Sequence, residues 1–203
     1  MAPLCYPAVM RKRVALLALW GFLVVGCAPM AREHQGDAAF RTALAAQIGH
    51  DEPRAEELYR QILALGLDWS PVWNNLAVIA VHRHEYSAAR KLLAHAVAAN
   101  ARDVVALTNY GVMSYHLCDY AEARKTLEEA RRLRIRLIDS IPSNGRASWE
   151  EDQYAKVTAP LDEVAKRYLA RIDAATISDA PMPAADLMAD LHVVDTLPPR
   201  ARF

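Results

Sequence analysis

A 34-residue period constrains this chain more than any other feature of its sequence. Shifted by 34, Tyr86-Ser87-Ala88-Ala89-Arg90-Lys91 falls on Tyr120-Ala121-Glu122-Ala123-Arg124-Lys125. The agreement extends through Asn75/Asn109, Leu76/Tyr110, Ala77/Gly111, Glu85/Asp119, Leu93/Leu127 and Ala96/Ala130. A weaker copy lies upstream in the same register, with Ala55, Tyr59 and Ile62 each 34 residues before Ala89, Leu93 and Ala96. A fixed period of this length means stacked supersecondary units that share a continuous core with their neighbours. Aromatic content of 7% and only seven glycines suit helical units better than a β-sandwich, which needs turn residues every 8–12 positions.

The residues at the repeating positions resemble the tetratricopeptide repeat (TPR). One copy supplies Trp73, Leu76, Ala77, Tyr86, Ala89, Leu93 and Ala96; the next supplies Leu107, Tyr110, Gly111, Tyr120, Ala123, Leu127 and Ala130. The resemblance covers residues 36–137, as copies 36–69, 70–103 and 104–137. The first is degenerate, with Ala39, Thr42 and Ala43 on its first helix. It implies an all-α fold, a right-handed solenoid of antiparallel helix pairs. Independently of the family, small residues at 77, 89, 96, 111, 123 and 130 let two helices approach closely, while Trp73, Leu76, Leu93 and Leu127 fill the space between pairs. Ser70-Pro71 reads as a helix start with a hydroxyl cap, and Asp103 opens the next copy. Gly49 and Gly66 end the two helices of the first copy, with Asp51 and Pro53 opening the second.

After 137 the period fades. Ile141 to Ala147 is a turn-rich break, and Ser148 with Glu151 reads as a capping box. Pro160 is expected to interrupt the helix that follows, and Leu161, Val164, Ala165, Tyr168, Leu169 and Ile172 then form one apolar stripe. We expect 138–177 to hold capping helices that cover the open end of the stack. Residues 178–203, with Pro181, Pro183, Pro198 and Pro199 around a short apolar stretch from Leu187 to Val194, read as a flexible tail.

The amino-terminal 26 residues have the layout of a bacterial export signal: Arg11, Lys12 and Arg13, then an apolar run from Val14 to Val25. That run is shorter than the roughly 20 residues a membrane-spanning helix requires. Met10, directly before the basic cluster, is the expected start of translation. Val24-Val25-Gly26-Cys27 resembles a lipobox, which implies acylation of Cys27 and its exposure as the mature amino terminus. Removing the signal leaves 21 basic against 24 acidic residues, so acyl chains rather than attraction to anionic lipid would hold the protein at a membrane. With Cys5 removed and Cys27 acylated, Cys118 stands alone and no disulfide can form within one chain. Residues 27–35 would be a tether, reaching about 26–29 Å from Ala28 to Gln35 if extended.

No phosphate loop, nucleophile elbow, His-Glu-x-x-His helix or cysteine-pair metal motif occurs, so the sequence offers no catalytic residues, no metal ligands and no cofactor site. His82 and His84 would point about 200° apart on a helix, a poor arrangement for a shared ligand. Balanced charge, 24 basic against 24 acidic residues, argues against a nucleic-acid partner.

The TPR resemblance implies that the first helices line an inner surface that holds a peptide or a partner helix. By repeat position that surface comprises Asn74, Asn75, Val78, Val81 and His82 from one copy, and Thr108, Asn109, Val112, Tyr115 and His116 from the next. Asparagine amides carry both donors and acceptors and can pair with an extended backbone. Lys and Arg are missing from these positions, which disfavours a clamp for an acidic carboxyl-terminal peptide. Arg131, Arg132, Arg134 and Arg136 crowd the end of the last repeat helix, either as a solvated end favoured by the helix dipole or as a docking patch.

Together these readings, through the lipobox resemblance, imply an outer-membrane lipoprotein facing the periplasm, because in such lipoproteins an aspartate in the place of Ala28 would signal inner-membrane retention. Lipoproteins of this type resemble pilotins and assembly factors of pili and secretion channels, which implies envelope partners such as a secretin, pilus or secretion component. An adaptor for cell-wall hydrolases is the alternative, and an enzyme or a purely structural envelope protein stands further off.

Overall fold

The computed structural model describes residues 30–139, 149–174 and 184–192. The export signal, Cys27, the break at 141–147, Ser148 and the tail prolines lie outside the described residues. Among the described residues every regular element is an α-helix: α1 (30–48), α2 (Glu52–Ala64), α3 (Ser70–His82), α4 (Tyr86–Ala99), α5 (Val104–His116), α6 (Tyr120–Asp139), α7 (Trp149–Asp173) and α8 (Ala184–Asp190). None is long and apolar enough to cross a membrane.

Neighbouring helices pack in sequence order, α3 against α4 and α5 against α6 most extensively, and α7 lies on both α5 and α6. Three turns share one backbone geometry. His50, His84 and Cys118 have φ of 62, 60 and 62°. In each turn the following N–H donates to the carbonyl five residues back: Asp51 to Ala46 (2.8 Å), Glu85 to Ala80 (2.9 Å) and Asp119 to Ser114 (2.9 Å). This is the Schellman closure of a helix C-terminus, which consumes carbonyls the helix leaves open. The period seen in side chains is therefore also a period in backbone torsion.

Helix starts follow the local signals with one exception. Asp51 accepts from the Arg54 N–H (3.2 Å), and Asp103 accepts from the N–H groups of Val105 (2.9 Å) and Ala106 (3.1 Å). Ser70 is not the cap: Trp69 holds that position, with Ser70 and Pro71 already in the first turn. The buried Ser70 hydroxyl instead donates to Asp103 Oδ2 at 2.7 Å, tying the start of α3 to the start of α5. Burial pushes the Asp103 carboxyl up, against the pull of Ser70 and the two backbone amides.

The small residues are buried between paired helices: Ala77, Ala89, Ala96, Ala123 and Ala130 are at most 1% exposed. Gly111 marks a close approach of α5 to α6, where a Cβ would lie 2.6 Å from Leu127 Cγ and 2.8 Å from its Cδ2. Leu76 joins Phe40, Tyr59, Ile62 and Ile79 in the core of the first units, and Leu93 and Leu127 sit in the central one.

Three boundaries differ from the sequence expectation. Residues 30–35 belong to α1 rather than to an extended tether, since Phe40 and Ala43 on the same helix are buried and carry it as one rod. At about 1.5 Å per residue this portion spans less than half of its extended reach. Pro160 does not interrupt α7, which runs from Trp149 to Asp173 as one helix. Its stripe of Leu161, Val164, Ala165, Tyr168 and Leu169 is buried and needs the rod intact. Residues 184–192 are not a flexible tail: α8 contacts α5, and Leu187 and Leu191 are buried in the central core.

Candidate functional site

The surface formed by α3 and α5 carries a buried line of amides. The His192 N–H donates to Asn109 Oδ1 (3.1 Å), Asn109 Nδ2 to Asn74 Oδ1 (2.8 Å), Asn74 Nδ2 to Asn75 Oδ1 (3.3 Å), and Asn75 Nδ2 to the Tyr59 hydroxyl (2.9 Å). Tyr59 in turn donates to Gln47 Oε1 at 2.9 Å. These five bonds run in series from the carboxyl-terminal segment to α1. Burial pushes the Tyr59 hydroxyl up to about 12, with the bond from Asn75 working against it. A buried polar chain of this kind is stabilising only while every member is satisfied.

Asn74, Asn75 and Asn109 are 0% exposed, so they do not line an open groove as the sequence reading had it. The groove is filled by residues 187–192 of the same chain. Asn74 Nδ2 (2.9 Å) and Asn109 Nδ2 (2.8 Å) both donate to the His192 carbonyl, while Asn109 Oδ1 takes the His192 N–H. Leu187 and Leu191 join Val78, Val81 and Val112 in one apolar cluster. Amides therefore grip a backbone beside valines of the same apolar cluster, and the occupant is the protein's own chain. The leucines drive this occupation: burying each is worth about 1.5–3 kcal/mol.

The remaining site residues distribute differently. Thr108 is buried and donates to the Val104 carbonyl of its own helix at 2.8 Å, so it faces no ligand. His82 is exposed and pairs with Glu52 on α2, away from the amide line. Asn75 makes the link to Tyr59. Tyr115 and His116 turn to α7, where both meet the Tyr168 ring edge-on at 4.9 and 5.7 Å. The arginines also divide. Arg131 pairs with Asp162 of α7 at 2.9 Å and Arg132 with Glu128 at 3.3 Å, whereas Arg136 is exposed. Arg131 thus holds α6 to α7 rather than serving a docking patch, and Arg134 has its Nε buried. Cys118 is exposed at its turn. Among the described residues no cluster of His, Cys, Asp and Glu could hold a metal ion.

A second polar cluster abuts the amide line and was not singled out in the sequence. Asp190, buried at the end of α8, accepts from Arg167 Nη2 (2.7 Å) and from the Tyr168 hydroxyl (2.9 Å). His116 Nε2 lies 2.9 Å from the same hydroxyl. Because the single phenolic hydrogen goes to Asp190, His116 is the donor in that contact. Burial and the Asp190 charge both push the Tyr168 hydroxyl up, keeping it a donor. The apolar stretch near Leu187 and the stripe containing Tyr168 were visible in sequence; their pairing was not. Compared with known proteins, the sequence matches no family model and no curated protein.

Proposed function

We propose that this protein is a TPR-type solenoid that works as a peptide-binding scaffold of the bacterial envelope, anchored through acylated Cys27 at the periplasmic face of the outer membrane. The observation that carries the reading is the grip of Asn74 and Asn109 on the His192 backbone, with Leu187 and Leu191 seated beside Val78 and Val112. Three hydrogen bonds to one main-chain residue, flanked by two apolar anchors, are how a groove holds a segment whose backbone is its common feature. The address rests on the sequence: the export signal, the lipobox-like Val24-Val25-Gly26-Cys27 and Ala28. Assembly of a pilus or secretion channel is the role such lipoproteins suggest, with an adaptor for cell-wall hydrolases as the alternative.

Two measurements test this. The full chain carrying Leu187→Ala and Leu191→Ala, which loosens the resident segment, is titrated with a fluorescent peptide of residues 184–194. Saturable binding that Asn109→Ala weakens tenfold or more supports a peptide groove; absence of binding by a folded protein overturns it. In cells, Cys27→Ala should release the protein from floated membranes. Continued flotation of that variant overturns the lipid anchor.

A further inference from the structure

From the contacts of Asp190 we infer that the groove contains a carboxylate-reading subsite made by Arg167 and Tyr168, and that its partner in trans is a segment of another protein with the pattern Leu-x-x-Asp-Leu. The inference rests on the peptide-groove reading above and specifies the ligand of that groove.

Leu187, Asp190 and Leu191 occupy the first, fourth and fifth positions of the resident segment, so on a helical turn they share one face. The leucines enter the apolar cluster, and Asp190 is presented between them to α7. His192 then leaves the helix and offers its N–H and carbonyl to Asn109 and Asn74. The groove thus reads a short helix and the non-helical residue that follows it, and only one element of that pattern is charged.

The cation comes from an unexpected place. First-helix positions carry no Lys or Arg, but α7 lies across α5 and supplies Arg167. Arg167 is half exposed while the Asp190 side chain is 7% exposed, so the carboxylate gives up more water than the guanidinium that receives it. Such a carboxylate is stable only with its partners in place, and an isosteric amide cannot serve both donors as well. Tyr168 is fully buried, its hydroxyl also meets His116, and Arg171 lies over its ring at 5.5 Å, adding positive charge nearby. The Tyr168 ring also packs α7 on α5, while its hydroxyl and Arg167 converge on the occupant.

The experiment compares two labelled peptides of residues 184–194, the native sequence and the same sequence with Asp190→Asn, by fluorescence anisotropy at pH 7.5. The receptor is the full chain carrying Leu187→Ala and Leu191→Ala. The native peptide should bind at least tenfold more tightly. Adding Arg167→Met, or Tyr168→Phe, to the receptor should shrink that ratio to threefold or less while the amide peptide binds as before. Equal binding of both peptides to the unmodified receptor overturns the carboxylate subsite and leaves the groove standing. Binding of neither, by a receptor with unchanged helical circular dichroism, overturns the groove reading itself. Sedimentation of the wild-type chain examines the other occupant: a concentration-dependent dimer abolished by Leu187→Ala and Leu191→Ala would assign the groove to a second copy and overturn a partner in trans. A wild-type monomer supports the partner.

Discussion

Asn109 and His192 exchange a pair of hydrogen bonds, side-chain amide to main chain, at 2.8 and 3.1 Å. Removing that amide leaves the His192 N–H and Asn74 Oδ1 without their partners. Each unsatisfied buried group costs about 1–3 kcal/mol, and release of the segment to water limits the total. Asn109→Ala should therefore lower unfolding stability by about 1–3 kcal/mol in urea and speed amide exchange across 187–192. His82→Ala, at a surface position of the same helix row, should change stability by less than about 0.5 kcal/mol.

Gly111 has no room for a methyl group. A Cβ there would press on the Leu127 side chain at 2.6 Å, and Leu127 is itself fully buried. Gly111→Ala, Ala89→Leu and Ala123→Leu should each cost about 1–3 kcal/mol through overpacking, in the first case despite the better helix propensity of alanine over glycine. Thermal melts followed by circular dichroism read this directly; unchanged midpoints would mean that the helix pairs are farther apart than described.

Cys118 is held at a φ of 62° with an ordinary side chain. A left-handed conformation costs a non-glycine residue about 1–2 kcal/mol, part of which glycine returns through its greater entropy in the unfolded chain. Cys118→Gly should raise stability by about 0.5–1 kcal/mol, and His84→Gly should do the same. Cys118→Val should lower it, because a β-branched side chain tolerates this region worst. Urea denaturation of the three variants separates torsional strain from any role of the thiol.

Burial holds the His192 imidazole below its usual range, with the Asp190 charge opposing the shift. Undocked, this histidine takes up its proton near pH 6.5; docked, it requires more acid. Between those two values the docked state binds fewer protons, so docking strengthens as pH rises through the window and weakens as pH falls below about 6.5. Hydrogen exchange at 187–192, corrected for intrinsic rates, should show lower protection at pH 5.5 than at pH 7.5. His192→Gln keeps the main-chain bonds and should remove most of that difference.

Local features of the fold were legible in the sequence. The positions of Asp51, Asp103 and Gly66, and the buried small residues, depend on neighbours within one helix pair, and the 34-residue period repeats the small residues at 77/111, 89/123 and 96/130. The occupant of the groove was not legible, because Asn74 and His192 are 118 residues apart and nothing periodic links them. The α8 helix has seven residues, too few for a periodic signal, and flanking prolines gave the region the look of a tail. The asparagines were recognised as backbone-gripping groups but placed in water, since burial of an amide depends on whether a partner arrives. Arg167 escaped notice for a similar reason: it sits on α7, outside the repeats, and reaches the groove only through packing on α5.

The two main-chain groups of His192 meet different atoms, its N–H the Asn109 Oδ1 and its carbonyl the Nδ2 atoms of Asn74 and Asn109, which gives the groove a sense of chain direction. A strand lying in the opposite sense would offer a carbonyl where Asn109 Oδ1 awaits a hydrogen, and turning Asn109 over to meet it would set its Oδ1 against Asn74 Oδ1. The same arrangement rejects an imino acid: proline has no N–H to give Asn109, so a ligand with proline in the place of His192 would lose the first link of the chain. Screens of envelope proteins for natural ligands can be narrowed on that ground, since polarity and the absence of proline at one position are recorded in the amides before any side chain is read.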